Sequence, residues 1–300
     1  MTRRLLACFF LLGSIARAAQ GQTDTARLRR TLDSIADRHH GTVGYTVLDL
    51  GTGARITRRG DETFPTASLI KVGILITVYD LVAKGQLSLD DPLTVLSIDQ
   101  VPGSGVLQFM HNGMGLTVRD AVYLMCTISD NTATNLLLDR IIIRRVWAKM
   151  DSLGAPHTRV WAKSFLRIST AAMDSSVKYG LGSTTPNEMA HLFELMANGK
   201  AVNPAADSAM LSVLEKNGTD FMLQRFAENL RAAHKDGEAD ASRTECTLWY
   251  LKTRVVACVL TKENQDHRYV IDNEAQVTMA NMGLAIINAF GRKPSGGPLP

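Results

Sequence analysis

"TASLIKVGILITVYDLVAKG", Thr66 to Gly85, is apolar enough to be buried throughout, yet it opens with Ser68 and Lys71. Its pattern predicts one helix from Thr66 to Lys84. On a helix, residues three apart project from neighbouring positions about 4.5 Å apart along the axis, so Ser68 and Lys71 are expected to meet. A serine hydroxyl is a poor nucleophile until a base takes its proton. A lysine can be that base where burial or a nearby cation lowers its pKa. Ser68 also falls in the first turn, where unpaired backbone N–H groups favour developing negative charge.

The pair is weak evidence alone, because on the order of one Ser-x-x-Lys match arises by chance in a chain of this length. A second, Ser175-Ser176-Val177-Lys178, lacks an apolar helical frame and reads as a loop. The bland account of the first is a helix-start serine beside a snorkelling lysine.

Outward from this stretch, "TARLRRTLDSIADRHH" (Thr25 to His40) has Leu28, Leu32, Ile35 and Ala36 at helical spacing. "GYTVLDL" and "ARITRRG" flank the turn "GTG" as a hairpin. Towards the other end, "CTLWYL" and "RVVACVLT" flank "KT" and are apolar on both faces, as central strands covered on two sides should be. "NEAQVTMANMGLAIINAFG" closes the pattern as a helix. Between the strand regions lie helices, one capped by Thr117 with Asp120 three residues on, another opened by a capping box at Thr185-Pro186-Asn187-Glu188.

The architecture expected is α/β plus all-α. An antiparallel sheet formed from both termini and flanked by helices (residues 25–64 and 217–291) carries an inserted helical domain (65–216), with a site in the crevice between them. Residues 292–300 read as a flexible tail.

Composition excludes other classes. With 45% hydrophobic and 21% charged residues, the 300-residue chain is globular. "MTRRLLACFFLLGSIARAAQ" has a basic start, a short apolar run and small residues at Ala16-Arg17-Ala18, so residues 1–18 are expected to be a secretory signal. A secreted or periplasmic protein without a transmembrane anchor follows. Without Arg3, Arg4 and Arg17, the 33 basic residues fall to 30 against 29 acidic ones, which gives no electrostatic case for nucleic acid. The seven histidines show no metal-ligand spacing, and neither metal nor cofactor is expected. Cys246 and Cys258 could face each other across a hairpin, although buried free thiols are the expected state.

Two further elements change the reading of Ser68. Ser129-Asp130-Asn131 lies between two helices, and Lys235-Asp236-Gly237 opens a strand just before the strand pair. Taken alone, the first is a helix-capping turn. In this order, Ser-x-x-Lys, Ser-Asp-Asn and Lys-x-Gly resemble the penicillin-recognising serine hydrolases, most closely the class A β-lactamase family. "FPTASLIKV", "PGSGVLQ", "ISDNTATNLLLDR", "STTPNEMAHL" and "VVACVLT" extend the resemblance over essentially the whole mature chain.

The resemblance implies an acyl-serine at Ser68, with Lys71 accepting its proton and Ser129 relaying a proton to the leaving group. Asn131 would hold Lys71 and a substrate amide, Lys235 would supply positive potential, and Ser104 would line the cleft. Backbone N–H groups of Ser68 and of Glu238, just after Gly237, would form the oxyanion hole.

Two departures stand out. No glutamate occurs between Glu62 and Glu188, where the family carries the base that activates the deacylating water; Asp174 is the only carboxylate of that loop. Asp236 stands where the family has a hydroxyl that binds the β-lactam carboxylate. It is expected to point to solvent, to pair with His234 or Lys235, or to face a substrate without a carboxylate. The expectation is a monomeric β-lactamase with weak turnover of a small-molecule substrate. The alternatives are a cell-wall D,D-peptidase or esterase of the same fold, or a non-turnover penicillin-binding sensor.

Overall fold

Every residue from Val255 to Leu260 is buried, and successive residues enter different cores. Val255, Ala257 and Val259 pack with Leu32, Met282 and Ile286, whereas Val256, Cys258 and Leu260 pack with Ile74, Leu75 and Phe193. Side chains alternate across a strand, so a run with no polar face can be stable only between two apolar layers.

The computed structural model describes residues 25–166 and 170–291; the expected signal and tail lie outside the described residues. The chain begins with a helix through residues 25–36 (α1), then β1 (Thr42–Asp49), β2 (Arg55–Arg58) and β3 (Phe64–Pro65). A 3-10 turn (Ala67–Ile70) leads into α2 (Lys71–Ala83), followed by β4 (Pro92–Val95) and β5 (Met114–Thr117). Helices α3 (Val118–Thr127), α4 (Asn131–Ile141) and α5 (Ile143–Ser152) follow, then β6 (Arg159–Val160), α6 (Met173–Tyr179) and β7 (Gly182–Thr184). The chain continues through α7 (Pro186–Ala197), α8 (Pro204–Leu214), β8 (Ala232–Ala239), β9 (Ser242–Tyr250), β10 (Arg254–Lys262) and α9 (Glu274–Phe290).

The main sheet has the order β2-β1-β10-β9-β8, with antiparallel pairing throughout, so both ends of the chain build it, as the sequence predicts. One face is covered by α1 and α9. The other shares a core with α2, α3, α4, α5, α7 and α8. Helix α2 runs through that core and is buried on every side from Lys71 to Leu81, as a helix without a polar face must be.

Several local expectations need correction. The helix expected from Thr66 is divided, because Ala67 takes a left-handed conformation (φ 45°) and the first turn closes as 3-10 before α2 starts at Lys71. Lys235-Asp236-Gly237, expected to open a strand, lies inside that strand, β8, which starts at Ala232 despite a charged composition that disfavours strands. Pairing with β9, from Ala232 opposite Trp249 to Ala239 opposite Ser242, overrides that composition. Cys246 and Cys258 are not free thiols; the register sets them directly opposite and they form a disulfide. Ser175 and Lys178 lie on α6, a surface helix without buried residues. Thr185 caps α7 by accepting from the Glu188 N–H, yet the Glu188 carboxylate turns to the His157 N–H and the Thr158 hydroxyl, so the expected box is half formed.

Candidate active site

Lys71 is wholly buried at the first position of α2. Its Nζ donates to Ser129 O at 2.6 Å and to Asn131 Oδ1 at 3.0 Å, and lies 3.1 Å from Ser129 Oγ. All three partners are uncharged. Burial, and after it the charge of Lys235, lowers the amine from its ordinary pKa to about 7. A neutral amine has two N–H groups and one lone pair. Ser129 O and Asn131 Oδ1 match the N–H groups, which leaves the lone pair able to accept from a hydroxyl. Ser68 Oγ is not among the Lys71 partners in the described structure; the amine is turned to the Ser129 side.

Backbone strain marks both serines. Ala67 (φ 45°), just before Ser68, and Ser129 (φ 58°) are non-glycine residues in the left-handed region, which costs about 1–3 kcal/mol each and persists only where surroundings over-determine it. Around Ser129 that support comes from Asp130. One of its oxygens accepts from the Ala133 N–H at 2.9 Å and caps α4, while the other accepts from Val106 and Leu107 at 2.7 and 2.9 Å. The loop at Pro102–Gly105 is thereby pinned to α4, with the Asn131 N–H donating to Ser104 O at 3.0 Å. Gly105 (φ +103°) must be glycine, since a Cβ there would sit 2.2 Å from the Asp130 carboxyl.

Strand β8 closes on the serine turn from the other side. A Cβ on Gly237 would lie 2.4 Å from Thr66 O and 2.8 Å from the Ser68 nitrogen, so only glycine permits this approach. Thr244 Oγ1, on β9, donates to Thr66 O at 2.7 Å and ties sheet to turn. The β8 backbone and the Ser68 N–H are side by side, as two oxyanion donors need to be.

The charges on this wall are paired within the chain. Lys235 is wholly buried, and its Nζ donates to the Asp236 carbonyl at 2.9 Å and to Asp236 Oδ1 at 3.0 Å. Asn217 Nδ2 donates to the same Oδ1 at 2.9 Å. Of the three expected outcomes for Asp236, pairing with Lys235 is realised; His234 pairs with Glu245 instead, at 2.9 Å. Burial alone would raise the Asp236 pKa, but Lys235 and the hydrogen bonds outweigh it and hold the carboxyl below the usual range. Two residues on, Glu238 Oε2 lies 3.3 Å from Nε of the buried Arg243, whose guanidinium stacks over Tyr269 at 4.7 Å.

The third wall is the loop after β6, in which no glutamate occurs. Ser164 is clamped by Asn135, which accepts from the Ser164 N–H at 2.8 Å and donates to its carbonyl at 3.0 Å. Ser164 Oγ donates to Asn131 Oδ1 at 3.4 Å, the oxygen that also receives Lys71. Asp174 is exposed on α6 and does not line the cleft.

Ser68, Ser104, Ser129, Asn131, Asp236 and Glu238 all line one cleft of about 480 Å³, to which Ser164, Phe165 and Tyr269 also contribute. Lys71 and Lys235 lie buried behind it. Sequence reasoning missed Ser164, Asn135, Asn217 and Tyr269. Asn135 follows Asn131 by one helical turn and was findable by spacing; the others depend on tertiary contacts. Among the described residues no cluster of His, Cys, Asp or Glu could hold a metal ion.

Comparisons with known proteins agree with this geometry. The model of the Beta-lactamase enzyme family matches residues 27–290. A β-lactamase of Rhodobacter capsulatus is 26% identical over 218 residues, 72% of each chain. The crystal structure of a β-lactamase from Sphaerobacter thermophilus superposes with a TM-score of 0.77 at 28% identity, covering 91% of this chain and 98% of that one. An ancestral class A β-lactamase gives 0.77 at 29% identity, covering 88% of this chain and all of its own. With a buried lysine behind the serine turn, a strained Ser-Asp-Asn corner and a glycine-bearing strand against the nucleophile, the chain belongs to the β-lactamase enzyme family.

Proposed function

We propose that the protein is a serine hydrolase that opens the amide of β-lactams through an acyl-enzyme on Ser68, and that it releases the acyl group slowly. The observation that carries this reading is the environment of Lys71, a fully buried amine with uncharged partners and a pKa lowered to about 7. Such an amine is half neutral near physiological pH and can take a proton.

In acylation, the Ser68 hydroxyl attacks the lactam carbonyl while its proton passes to Lys71. The carbonyl oxygen gathers negative charge against the backbone N–H groups of Ser68 and Glu238. As the C–N bond breaks, the proton moves from Lys71 through the Ser129 hydroxyl, 3.1 Å away, to the departing nitrogen. Atoms balance without an added base: the proton lost by Ser68 ends on the ring nitrogen.

Deacylation needs a base to activate water, and proton transfer of this kind contributes roughly 10²–10⁴-fold. The side chain offered by the clamped loop is the Ser164 hydroxyl, which is not a base at neutral pH. This favours a long-lived adduct and supports a penicillin-binding role as the second reading. We further propose that the chain acts outside the cytoplasm as a monomer, with residues 65–216 and the sheet region as the cleft's two sides. Among the described residues no helix is long and apolar enough to cross a membrane.

Intact-mass measurement after mixing with benzylpenicillin tests the proposal. A mass gain of one penicillin on Ser68, absent in Ser68→Ala and decaying slowly, is expected. Absence of any adduct would refute it.

A further inference from the structure

The cleft contains two carboxylates of its own where a carboxylate-bearing substrate would need cations. Asp236 and Glu238 are two apart on β8 and so project to one face of the strand, and both line the cleft. Each lies against a buried cation: Asp236 accepts from the ammonium of Lys235 at 3.0 Å, and Glu238, whose carboxyl pKa is pushed up by burial, lies 3.3 Å from the guanidinium of Arg243. The Asp236 pair is fixed from behind: Asn217 holds Oδ1, and Cys246, disulfide-bonded to Cys258, stands opposite Lys235 on β9. Oδ2 of Asp236 receives no hydrogen bond from the described residues, although the side chain is nearly buried and borders the cleft. That oxygen borders the cleft and can accept a hydrogen bond from a donor on a bound substrate.

We infer that Asp236 sets specificity, and that the preferred substrate is an acyl donor with an uncharged or cationic group beside β8 in place of a carboxylate. The inference rests on the acyl-serine reading of Ser68. A substrate carboxylate there would meet Asp236 as a like charge, whereas an ester, amide or ammonium would not, and an N–H could bond to Oδ2. Phe165, 64% exposed at the rim, and Tyr269 add an apolar border that suits a neutral ligand.

The test compares benzylpenicillin with its methyl ester on the full-length protein, following the rate of Ser68 adduct formation by intact mass. Each rate is divided by the compound's reactivity toward hydroxide, so that intrinsic ring strain cancels. The ester is expected to acylate at least tenfold faster, and raising the ionic strength should narrow the gap. In Asp236→Thr the ratio should fall by at least tenfold; Asp236→Asn serves if loss of the Lys235 partner prevents folding. Equal rates, or faster reaction of the acid, would overturn the inference while leaving Ser68 acylation intact. A preference unchanged in both variants would also overturn it. Failure of both compounds to label Ser68 would instead remove the acyl-serine reading, and the inference with it.

Discussion

Lys71 and Lys235 are both wholly buried on either side of the same cleft, and their surroundings differ in one respect. Lys71 is surrounded by two serine oxygens and an asparagine oxygen, whereas Lys235 is bonded to the carboxylate of Asp236. A buried ammonium without a counter-ion loses its hydration and gains little in return, so its proton is held loosely. A buried ammonium bonded to a carboxylate has its charge compensated. On the acyl-serine reading, Lys71 would exchange protons while Lys235 stays bonded to Asp236, so the helical side of the cleft would supply chemistry and the strand side a fixed field.

Removing the nucleophile gives the largest effect on this contrast. Ser68→Ala should abolish the covalent adduct with benzylpenicillin altogether, read by intact mass. Lys71→Met, close in shape but without a base, should slow acylation by roughly 10²–10⁴-fold at neutral pH, followed by quenched mass analysis. Retention of the wild-type rate in Lys71→Met would mean that another group takes the proton.

Ser164→Glu sharpens the comparison by giving the third wall a carboxylate. Release of the acyl group should accelerate on the order of a hundredfold, measured as decay of the adduct after removing free penicillin. On the strand side, effects should appear in stability. Asn217→Ala removes a donor from buried Asp236 Oδ1 and should cost about 1–3 kcal/mol in denaturant unfolding. An unchanged midpoint would show that the Lys235 pair is sufficient alone.

The sequence made the layered fold legible because its strongest signals are local. The doubly apolar strands, the capped helices and the buried run after Ser68 each follow from periodicity. The three motifs also pointed to Ser68, Ser129 and Asn131, which line one cleft, and to Lys71 and Lys235, which lie buried behind it. What was not legible depends on register and side-chain direction. The disulfide required knowing that Cys246 stands opposite Cys258. The strand at Lys235-Asp236-Gly237 was legible, but the partners of its other charges, Glu245 for His234 and Arg243 for Glu238, depend on tertiary pairing. The role of Asp236 could be narrowed to three outcomes and no further, because Asn217, the residue that fixes it, lies 19 positions away in an irregular segment.

The central claim is that a neutral Lys71 accepts the proton of Ser68, and the pH dependence of acylation tests it most directly. The amine, with its pKa lowered to about 7, is neutral above that value and charged below it. The single-turnover acylation rate should therefore level off above about pH 7 and fall about tenfold per pH unit below it. A rate that stays flat from about pH 5 to 8, with adduct still forming on Ser68, would contradict the account.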